Sequence, residues 1–589
     1  MTEEKTTDIF YEIRKISDFR DLLSQCKDRF AGNPAFKYLE NDTVRQITFS
    51  ELYDRVNSLG TALCALGLKN EKIAVIGENS WKWCCAYFSV TNGTGVVVPM
   101  DRDLMPPDIL NILSFAECKA VFFDEKSREK LNEIKDRLPA DMIYISFSEP
   151  AHGELDFDDL IRIGGEKLKN GFNDFVSAEI DPMALGSLIF TSGTTGEPKG
   201  VMLSQYNICS DIMALSGVVK ITSEDSVLSV LPLHHTYECS LSFLMLLYSG
   251  GCLCFCRGLR YIQKDMLIFE PTLFVTVPLM LEKFHSRIIK KISERRMGKL
   301  TLSIGKLAAS SDGFAANIAD RAFAEIRKQF GGKLRLIITG AAPMSPRVAE
   351  DFNTFGIPVY IGYGLTECSP LVIGNNDRLQ MTDGVGVPLP GVEVKISAPD
   401  DNGIGEILVK GPMVMIGYYK NPEATACVFD EDGWFHTGDM GSIDNEGHCR
   451  IVGRFKNVIV TKNGKNIYPE EVEYYLNSNP YISESLVFGS EDEDFPDETR
   501  VEAKIFPDIS KIAEKLKEKS QPSREQISKV ISDVIKDVNK KLPKYKRIKG
   551  FAIRENEFTK TTTNKIKRHE NIEKKNDKTN LNEKTTDGK

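Results

Sequence analysis

The stretch Thr191–Gly200 reads TSGTTGEPKG and lies between two apolar runs, Ala184–Phe190 and Val201–Leu203. Glycine at positions 193, 196 and 200 lets such a loop turn many backbone N–H groups toward one point, because glycine tolerates positive φ and has no Cβ. The hydroxyls and Lys199 add donors and one positive charge, a combination that suits a polyphosphate. An ordinary Gly/Ser/Thr hairpin turn is the structural alternative. The loop is not a Walker A loop, because Pro198 and Gly200 flank the lysine.

In this order, the ten residues resemble the phosphate loop of the adenylate-forming enzymes, which include acyl-CoA synthetases, luciferases and the adenylation domains of peptide synthetases. The resemblance implies that the loop binds the β- and γ-phosphates of ATP. The residues to which it assigns this role are Thr191, Ser192, Gly193, Thr194, Thr195, Gly196 and Lys199.

Length and composition favour a globular protein of more than one domain. The chain has 589 residues, 41% of them hydrophobic and 27% charged, and a formal charge of −9, which gives no support for nucleic-acid binding. The first ten residues, MTEEKTTDIF, lack the pattern of a signal peptide. The 13 cysteines include no C-x-x-C pair, which favours a reduced, cytoplasmic protein.

An uncharged stretch, Cys239–Cys256, raises the question of a membrane span. Ser249-Gly250-Gly251 interrupts it, so a helix of about ten residues, a turn and a buried strand explain the stretch better. We therefore expect no transmembrane span, and peripheral contact with a membrane surface stays open.

Strand and helix patterns alternate through the first half of the chain. Residues 1–45 are interpreted as a lead-in with short helices, of which 19–30 is amphipathic, and 47–68 as a helix with Ser50 as its N-cap. Buried strands at 73–76 and 96–99 then flank a helix near 81–90, which predicts an α/β sheet with covered faces.

The family resemblance implies the domain organisation. It comprises an N-terminal region, 1–453, of two α/β sheet subdomains plus a small β-barrel, and a smaller, mobile α+β domain, 454–570. Six apolar residues at helical spacing predict a packed helix in that domain; they are Ile527, Val530, Ile531, Val534, Ile535 and Val538. The polar tail, 571–589, is expected to be disordered.

Adjacent histidines occur in LPLHHTYE, residues 231–238. They lack a third metal ligand at suitable spacing, and one packed and one polar histidine would be the structural reading. The segment resembles the family's P-L-x-H motif, which implies that His235 lies at the mouth of the acyl pocket. Glu238 stands where many members have glycine and resembles the long-chain fatty acyl branch.

Two strand-to-turn segments follow, LRLIITGAAPMSP (334–346) and VYIGYGLTECSP (359–370). Their small residues leave room for a flat ring, for which Tyr363 offers an aromatic face. Glu367 is a hard oxygen donor suited to Mg²⁺, and Thr366 can hydrogen-bond a phosphoryl oxygen. The resemblance identifies the adenine-side elements as Gly340, Ala341, Ala342, Tyr363 and Gly364.

Four further family positions follow in order. The resemblance implies that Asp439, in GWFHTGDMG, accepts both ribose hydroxyls and that Arg454 contacts the same sugar or phosphate. Lys456 corresponds to the hinge between the domains. The loop of Gly464 would line the channel for the pantetheine arm of coenzyme A.

The last motif is FTKTTTNKIKR, residues 558–568. Composition alone suggests a soluble tail, but the T-x-x-x-K-I-x-R register resembles the family's C-terminal motif and makes Lys565 the catalytic lysine. Thr559 and Asn564 depart from the usual proline and glycine. Asparagine tolerates the left-handed conformation best among the other residues, so the turn can survive.

The resemblance implies a long-chain fatty acid–CoA ligase. Its substrates would be a fatty acid, ATP and coenzyme A, with Mg²⁺ held by Glu367, and it would form acyl-AMP before acyl-CoA. The catalytic residues would be Lys565, Thr366, Glu367 and His235. Three alternatives stay open, namely a fatty acyl–carrier-protein ligase with acyl carrier protein as partner, another adenylating acid ligase or peptide-synthetase module, and a non-catalytic sensor.

Overall fold

The computed structural model describes residues 8–191, 199–294, 323–461, 465–491, 499–518, 521–560 and 566–573. The chain divides into two compact units. The first comprises Met1–Val394, Val409–Phe435 and Asn445–Cys449, and the second comprises Lys395–Leu408, His436–Asp444 and Arg450–Lys589.

The first unit contains a mixed sheet of nine strands among the described residues. Its central strands are parallel, and both edges are antiparallel. In spatial order the strands are Val387–Pro388, Leu371–Gly374, Val359–Gly364, Leu336–Thr339, Leu273–Thr276, Ser226–Ser229, Cys252–Phe255, Pro34–Glu40 and Thr43–Thr48.

A second sheet of the first unit has eight strands in the part of the chain that is described. Its central strands are parallel and alternate with helices along the chain, as the sequence predicts. In spatial order the strands are Gly417–Tyr418, Lys199–Ser204, Leu185–Thr191, Gly95–Met100, Glu71–Ile76, Ala120–Phe123, Ile143–Ser146 and Leu155–Asp156.

Helices connect these strands and cover the sheets with apolar side chains, as buried parallel strands require. The α-helices are Phe19–Phe30, Phe49–Ala65, Trp81–Thr91, Pro106–Phe115, Glu125–Asn132, Phe157–Lys169, Gln205–Ser216, Met245–Tyr248, Ile262–Phe269, Pro278–Glu294, Pro346–Thr354 and Pro422–Ala426. A π-helix, Glu238–Leu244, and the 3₁₀ turns Lys135–Arg137 and Thr366–Cys368 complete the unit within the described ranges.

Most of a four-stranded sheet belongs to the second unit, in the order Glu393–Ser397, Gly405–Lys410, Phe435–Ile443 and Cys449–Arg454. The unit also has a two-stranded sheet, Ile459–Val460 with Asn466–Ile467, and a three-stranded sheet, Ile482–Glu491, Thr499–Pro507 and Gly550–Ile553. Its described helices are Phe455–Asn457 (3₁₀), Pro469–Asn477, Ile509–Leu516, Arg524–Lys541, Lys544–Lys546 (3₁₀) and Arg568–Glu573.

The predicted α/β class, with large N-terminal sheets and a smaller C-terminal domain, is confirmed. All six residues of the predicted stripe in Arg524–Lys541 are buried. Nearly all of the four-stranded sheet lies in the turn-rich region 383–453, for which the sequence predicts short alternating strands and the small barrel. The boundary at 453/454 stays a prediction, since residues 395–408 and 436–444 group with the second unit.

Three local features differ from the predictions. Residues 34–48 form two strands rather than a helical lead-in. The N-cap of the following helix is Thr48 rather than Ser50, because Thr48 and Glu51 form a reciprocal capping box. Helix Arg568–Glu573 runs past the predicted start of the tail at 571, where Asn571 is fully buried and its side-chain amide donates to the carbonyl of Thr559.

The uncharged stretch near Cys239–Cys256 forms helical turns up to Tyr248, a turn at Ser249 and a buried strand, Cys252–Phe255, as predicted. Within the described residues, no helix is both long enough and apolar enough to span a bilayer.

Replacing Ile531 by alanine is expected to lower the free energy of unfolding of the second unit by about 2–5 kcal/mol, because a buried side chain is lost and a cavity is left. Urea unfolding measures the change, with hydrogen exchange in the strand Ile482–Glu491 as the local readout. The control is Lys536→Ala on the exposed face of the same helix. Equal effects of the two substitutions would contradict the assigned core.

Candidate active site

The two ends of the glycine-rich loop are held side by side. The strand Leu185–Thr191 pairs antiparallel with Lys199–Ser204, and Thr191 is the register partner of Lys199. The loop therefore starts and ends at the same end of two neighbouring strands of the eight-stranded sheet. Its predicted phosphate-binding residues Ser192, Gly193, Thr194, Thr195 and Gly196 lie outside the described residues.

Tyr418 connects the lysine of this loop to Glu367. The Lys199 ammonium lies 4.7 Å from the centroid of the Tyr418 ring, and the Tyr418 hydroxyl donates to Glu367 Oε1 at 2.9 Å. Burial and the neighbouring carboxylate raise the pKa of the Tyr418 hydroxyl, so it stays a donor. One tyrosine thereby contacts both a cation and a carboxylate predicted for the phosphate site, the cation over its ring and the carboxylate at its hydroxyl.

Backbone contacts fix the position of Glu367. It lies in the 3₁₀ turn Thr366–Cys368, directly after the strand Val359–Gly364, and its carbonyl accepts from Met415 N at 2.8 Å. A Cβ on Gly364 would lie 1.9 Å from the Pro370 carbonyl oxygen, so only glycine fits there. Thr366 is half-buried in the same turn.

The donor set at Glu367 suits magnesium bound together with a nucleotide. Among the described residues, no group of three or more His, Cys, Asp or Glu side chains is arranged to hold a metal ion. Mg²⁺ commonly takes one or two carboxylates and completes its shell with phosphates and water. A single half-buried carboxylate beside the phosphate loop fits that pattern.

The predicted adenine-side turns lie at the carboxyl ends of neighbouring strands. A Cβ on Gly340 would lie 2.8 Å from the Gly362 carbonyl oxygen, so the two backbones approach closely. Ala341 has φ +67°, and both Ala341 and Ala342 are exposed. Tyr363, in contrast, is buried. Ligands of open α/β sheets bind outside the carboxyl ends of the strands, where these turns lie.

The two adjacent histidines have different environments. Their ring centroids are 4.0 Å apart, with His234 buried and His235 half-buried. Burial, together with His235 and Arg102, lowers the pKa of His234 well below its usual range. His234 therefore stays neutral, and His235 is the more accessible of the two.

Tyr237 attaches the histidine segment to two strands of the nine-stranded sheet, Leu273–Thr276 and Leu336–Thr339. Its hydroxyl lies 3.1 Å from the carbonyl oxygen of Thr276 and 3.3 Å from that of Ile338. Its ring carbon Cε2 lies 3.8 Å from the position of a Cβ on Gly340. The segment of His235 thus adjoins the Gly340 turn.

Glu238 is completely buried at the start of the π-helix. Its Oε1 lies 2.6 Å from the Ser229 hydroxyl oxygen and its Oε2 lies 2.7 Å from the Ser242 hydroxyl oxygen, so each carboxyl oxygen has a partner that can donate or accept. Burial raises the pKa of this carboxyl to about 8, so the protonated form prevails at neutral pH. Its partners were not predicted, because Ser229 and Ser242 carry no motif.

Asp439 and Arg454 form an ion pair in the second unit, with Arg454 Nε 2.7 Å from Asp439 Oδ1. Asp439 is buried and Arg454 is exposed. Gly438, at φ +70°, precedes the aspartate, and its N–H donates to Glu406 Oε1 at 3.0 Å. The two predicted sugar ligands are therefore already adjacent.

The remaining predicted residues also belong to the second unit. Lys456 is exposed in the turn Phe455–Asn457. Gly464 and Lys565 lie outside the described residues. The chain on either side of 561–565 is anchored, because Lys560 and Ile566 form an antiparallel bridge and Arg568 Nη1 lies 2.8 Å from Glu473 Oε1.

Sequence reasoning missed Tyr418 as a site residue. The segment GYYKNPEAT contains it, and that segment resembles a family element, but two adjacent tyrosines give no sign of which one faces Glu367. The strand pairing decides this, since Tyr418 aligns with Val201 beside the loop.

Comparison with known proteins is consistent with this geometry. The AMP-binding enzyme family matches residues 23–419, and the AMP-binding enzyme C-terminal domain matches residues 456–579. The chain therefore belongs to the AMP-binding enzyme family, as its motifs predict.

Curated relatives include a long chain acyl-CoA synthetase 6, peroxisomal, of Arabidopsis thaliana, which is 28% identical over 75% of this chain and 66% of its own length. The long-chain-fatty-acid–CoA ligase 5 of Mus musculus is 31% identical over 75% of this chain and 69% of its own length. The chain thus spans about two thirds of the length of these relatives. An ATP-bound RpMatB-BxBclM chimera, B3, has a similar structure, with a TM-score of 0.70, 25% identity and coverage of 93% of this chain and 97% of its own.

Replacing Glu238 by glutamine is expected to reduce the pH dependence of stability between about pH 4.5, the ordinary pKa of glutamate, and about pH 8. Over this range the folded wild type keeps a proton that the unfolded chain releases, so its stability falls as pH rises. Glutamine cannot ionise and keeps the shape of the protonated group.

Urea unfolding of both proteins at the two ends of the range measures this difference. The variant should gain stability relative to wild type toward pH 8. Glu224→Gln, at an exposed position nearby in sequence, serves as the control. Parallel pH profiles for wild type and Glu238→Gln would show that Glu238 titrates normally.

Proposed function

We propose that this protein is an ATP-dependent long-chain fatty acid–CoA ligase. The observation that carries the proposal is the arrangement of Lys199, Tyr418 and Glu367, which joins the phosphate loop to the acidic residue of a second family element. Membership of the AMP-binding enzyme family and the similarity to long-chain acyl-CoA synthetases support the same reaction.

In the first half-reaction, a carboxylate oxygen attacks the α-phosphorus of ATP, the bond to the bridging oxygen of the β-phosphate breaks, and pyrophosphate leaves. A carboxylate is a weak nucleophile, so positioning and charge neutralisation must supply the acceleration. Thr191–Gly200 holds the β- and γ-phosphates, and Thr366 and Lys565 stabilise the oxygens of the carboxylate and the α-phosphate. Asp439 and Arg454 bind the ribose, and Gly340, Ala341, Ala342, Tyr363 and Gly364 receive the adenine.

Magnesium belongs to the same site. Glu367 would hold it, with phosphates and water as the other ligands, and the ion would neutralise phosphate charge. The hydrogen bond from Tyr418 to Oε1 fixes the orientation of the Glu367 carboxylate and leaves its second oxygen to bind Mg²⁺.

In the second half-reaction, the thiolate of coenzyme A attacks the acyl carbon, the bond to the phosphate oxygen breaks, and AMP leaves. The smaller domain turns about Lys456, withdraws Lys565 and brings the loop of Gly464 to the pantetheine channel. Such a motion explains why the lysine lies so far along the chain from the phosphate loop.

A fatty acyl chain suits the surroundings of His235. The π-helix that follows contributes Leu241, Phe243 and Leu244, all buried and apolar. Glu238, neutral when protonated, adds no charge to this environment. The protein is proposed to act in the cytoplasm with fatty acid, ATP and coenzyme A as its small-molecule partners.

An acid-dependent ATP–pyrophosphate exchange assay tests the proposal. Long-chain fatty acids should support exchange, while aryl and short acids should support little. Coenzyme A, but not acyl carrier protein, should then accept the acyl group. If no acid in a broad panel supported exchange, the function would be refuted in favour of a sensor. If carrier protein alone accepted the acyl group, the carrier-protein ligase would be favoured.

Lys565→Ala is expected to abolish acyl-AMP formation and to spare thioester formation from supplied acyl-AMP, because the lysine acts only on the first transition state. Lys456→Pro should show the opposite bias, because it stiffens the hinge. Separate half-reaction assays measure both effects. Lys567→Ala, two residues from Lys565, is the control, and equal loss of both half-reactions in Lys565→Ala would refute its role.

Tyr418→Phe keeps the ring beside Lys199 but removes the hydrogen bond to Glu367. The dissociation constant of MgATP should rise about tenfold, since a hydrogen bond to a charged group contributes about 1.5–3 kcal/mol. Calorimetric titration measures it. Tyr419→Phe is the matched control, because the Tyr419 hydroxyl donates to the exposed Glu117 at 3.4 Å rather than to Glu367. Equal weakening in both variants would remove Tyr418 from the site.

A further inference from the structure

The helix Ile262–Phe269 in the first unit presents apolar side chains to solvent. Leu267 is 53% exposed and Ile268 is 45% exposed, although the helix also buries a face against the core. The turn before it adds Leu259, 70% exposed, and Tyr261, 43% exposed. Single exposed apolar residues are ordinary, but four within ten positions concentrate apolar surface on one segment of the chain, as at an interaction site.

Exposed basic residues lie on the same helix and on a neighbouring helix. Lys264 lies one turn before Ile268 on the same helix face. The helix Pro278–Glu294 runs alongside, since Met266 lines a small cleft together with Phe284 and Arg287. Its outer face carries Lys283 and Arg287, both exposed.

The cations of this surface are available to an external partner. Lys264, Lys283 and Arg287 form no ion pair within the ranges that the structure describes. The two acidic groups of the helix Ile262–Phe269 and its C-cap are engaged elsewhere, because Asp265 is buried and bonded to Arg257 at 2.6 Å and Glu270 pairs with Lys333 at 2.8 Å. The local charge is therefore positive on a chain whose formal charge is −9.

We propose that this surface docks the protein on an anionic phospholipid bilayer. The docking surface consists of Leu259, Tyr261, Lys264, Leu267, Ile268, Lys283 and Arg287. Apolar side chains on a helix face bury themselves at the headgroup boundary, and the cations around them bind anionic headgroups. A second copy of the chain is a poorer occupant, because pairing through this surface would oppose like charges.

Docking is a property beyond the proposed ligase reaction and does not depend on it, so binding is measured without ATP or fatty acid. Co-sedimentation with vesicles of phosphatidylcholine alone, and of phosphatidylcholine with one third phosphatidylglycerol, is the assay. Wild type should bind the anionic vesicles at least tenfold more tightly than the neutral ones. High salt should weaken the binding, because the headgroup attraction is screened.

Two variants test the apolar and the basic side chains of the docking surface separately. Leu267→Glu with Ile268→Glu should reduce binding to anionic vesicles at least tenfold. Lys264→Gln with Lys283→Gln and Arg287→Gln should reduce it about fivefold for each charge removed. Circular dichroism and thermal unfolding should match wild type, because all five side chains are exposed.

Matched controls lie elsewhere on the chain. Met183→Glu places the same charge on another exposed apolar residue. The triple change Lys529→Gln, Lys536→Gln and Lys541→Gln removes three exposed charges from the helix Arg524–Lys541. Both controls should bind anionic vesicles within twofold of wild type.

Three results would overturn the proposal. They are failure of wild type to bind anionic vesicles, wild-type binding by the Leu267–Ile268 variant, and equal losses in the controls. Light scattering of the protein without lipid tests the other occupant, a second copy of the chain. If wild type were a dimer and the Leu267–Ile268 variant a monomer, the surface would be assigned to a second copy instead.

Discussion

The hydrogen bond between Tyr418 and Glu367 joins the two large sheets of the first unit at the candidate site. Tyr418 lies in a short strand that pairs beside Lys199–Ser204 in the eight-stranded sheet, whereas Glu367 follows a strand of the nine-stranded sheet. The carboxylate and the loop lysine depend on different sheets for their positions. The Tyr418 side chain contacts both groups, so the distance between Lys199 and Glu367 depends on the packing around the Tyr418 ring.

The second constraint is the buried polar group at Glu238. A carboxyl without water is costly unless its oxygens are bonded, and here two serine hydroxyls satisfy them. One serine ends a strand and the other lies a turn further along the π-helix, so the carboxyl ties the helix to the sheet. A π-helix is rare, and such irregular helices frequently occur at functional sites.

Motifs predict most residues of the candidate site, because the loop, the Gly-Ala-Ala turn and the Tyr-Gly-x-Thr-Glu segment occur in the order of the family. The predictions about the fold that fail do so for specific reasons. The edge strand Thr43–Thr48 was missed because its exposed side chains carry no burial signal. The N-cap was misplaced because Thr48 and Ser50 are both good caps, and only the reciprocal bond with Glu51 distinguishes them. The predicted tail begins too early, because composition does not report that Asn571 is buried and that its amide donates to the carbonyls of Thr559 and Lys567.

The sequence by itself determined the α/β class, the family, the order of the motifs and the apolar stripe of the C-terminal helix, because each depends on residue type and local spacing. Tertiary structure alone decided that Tyr418 rather than Tyr419 contacts Glu367, that His234 is the buried histidine and that Ser229 reaches Glu238. It also decided that the face of Ile262–Phe269 with Leu267 remains exposed. Contacts between residues far apart along the chain depend on how the sheets pack, and no local pattern encodes that packing.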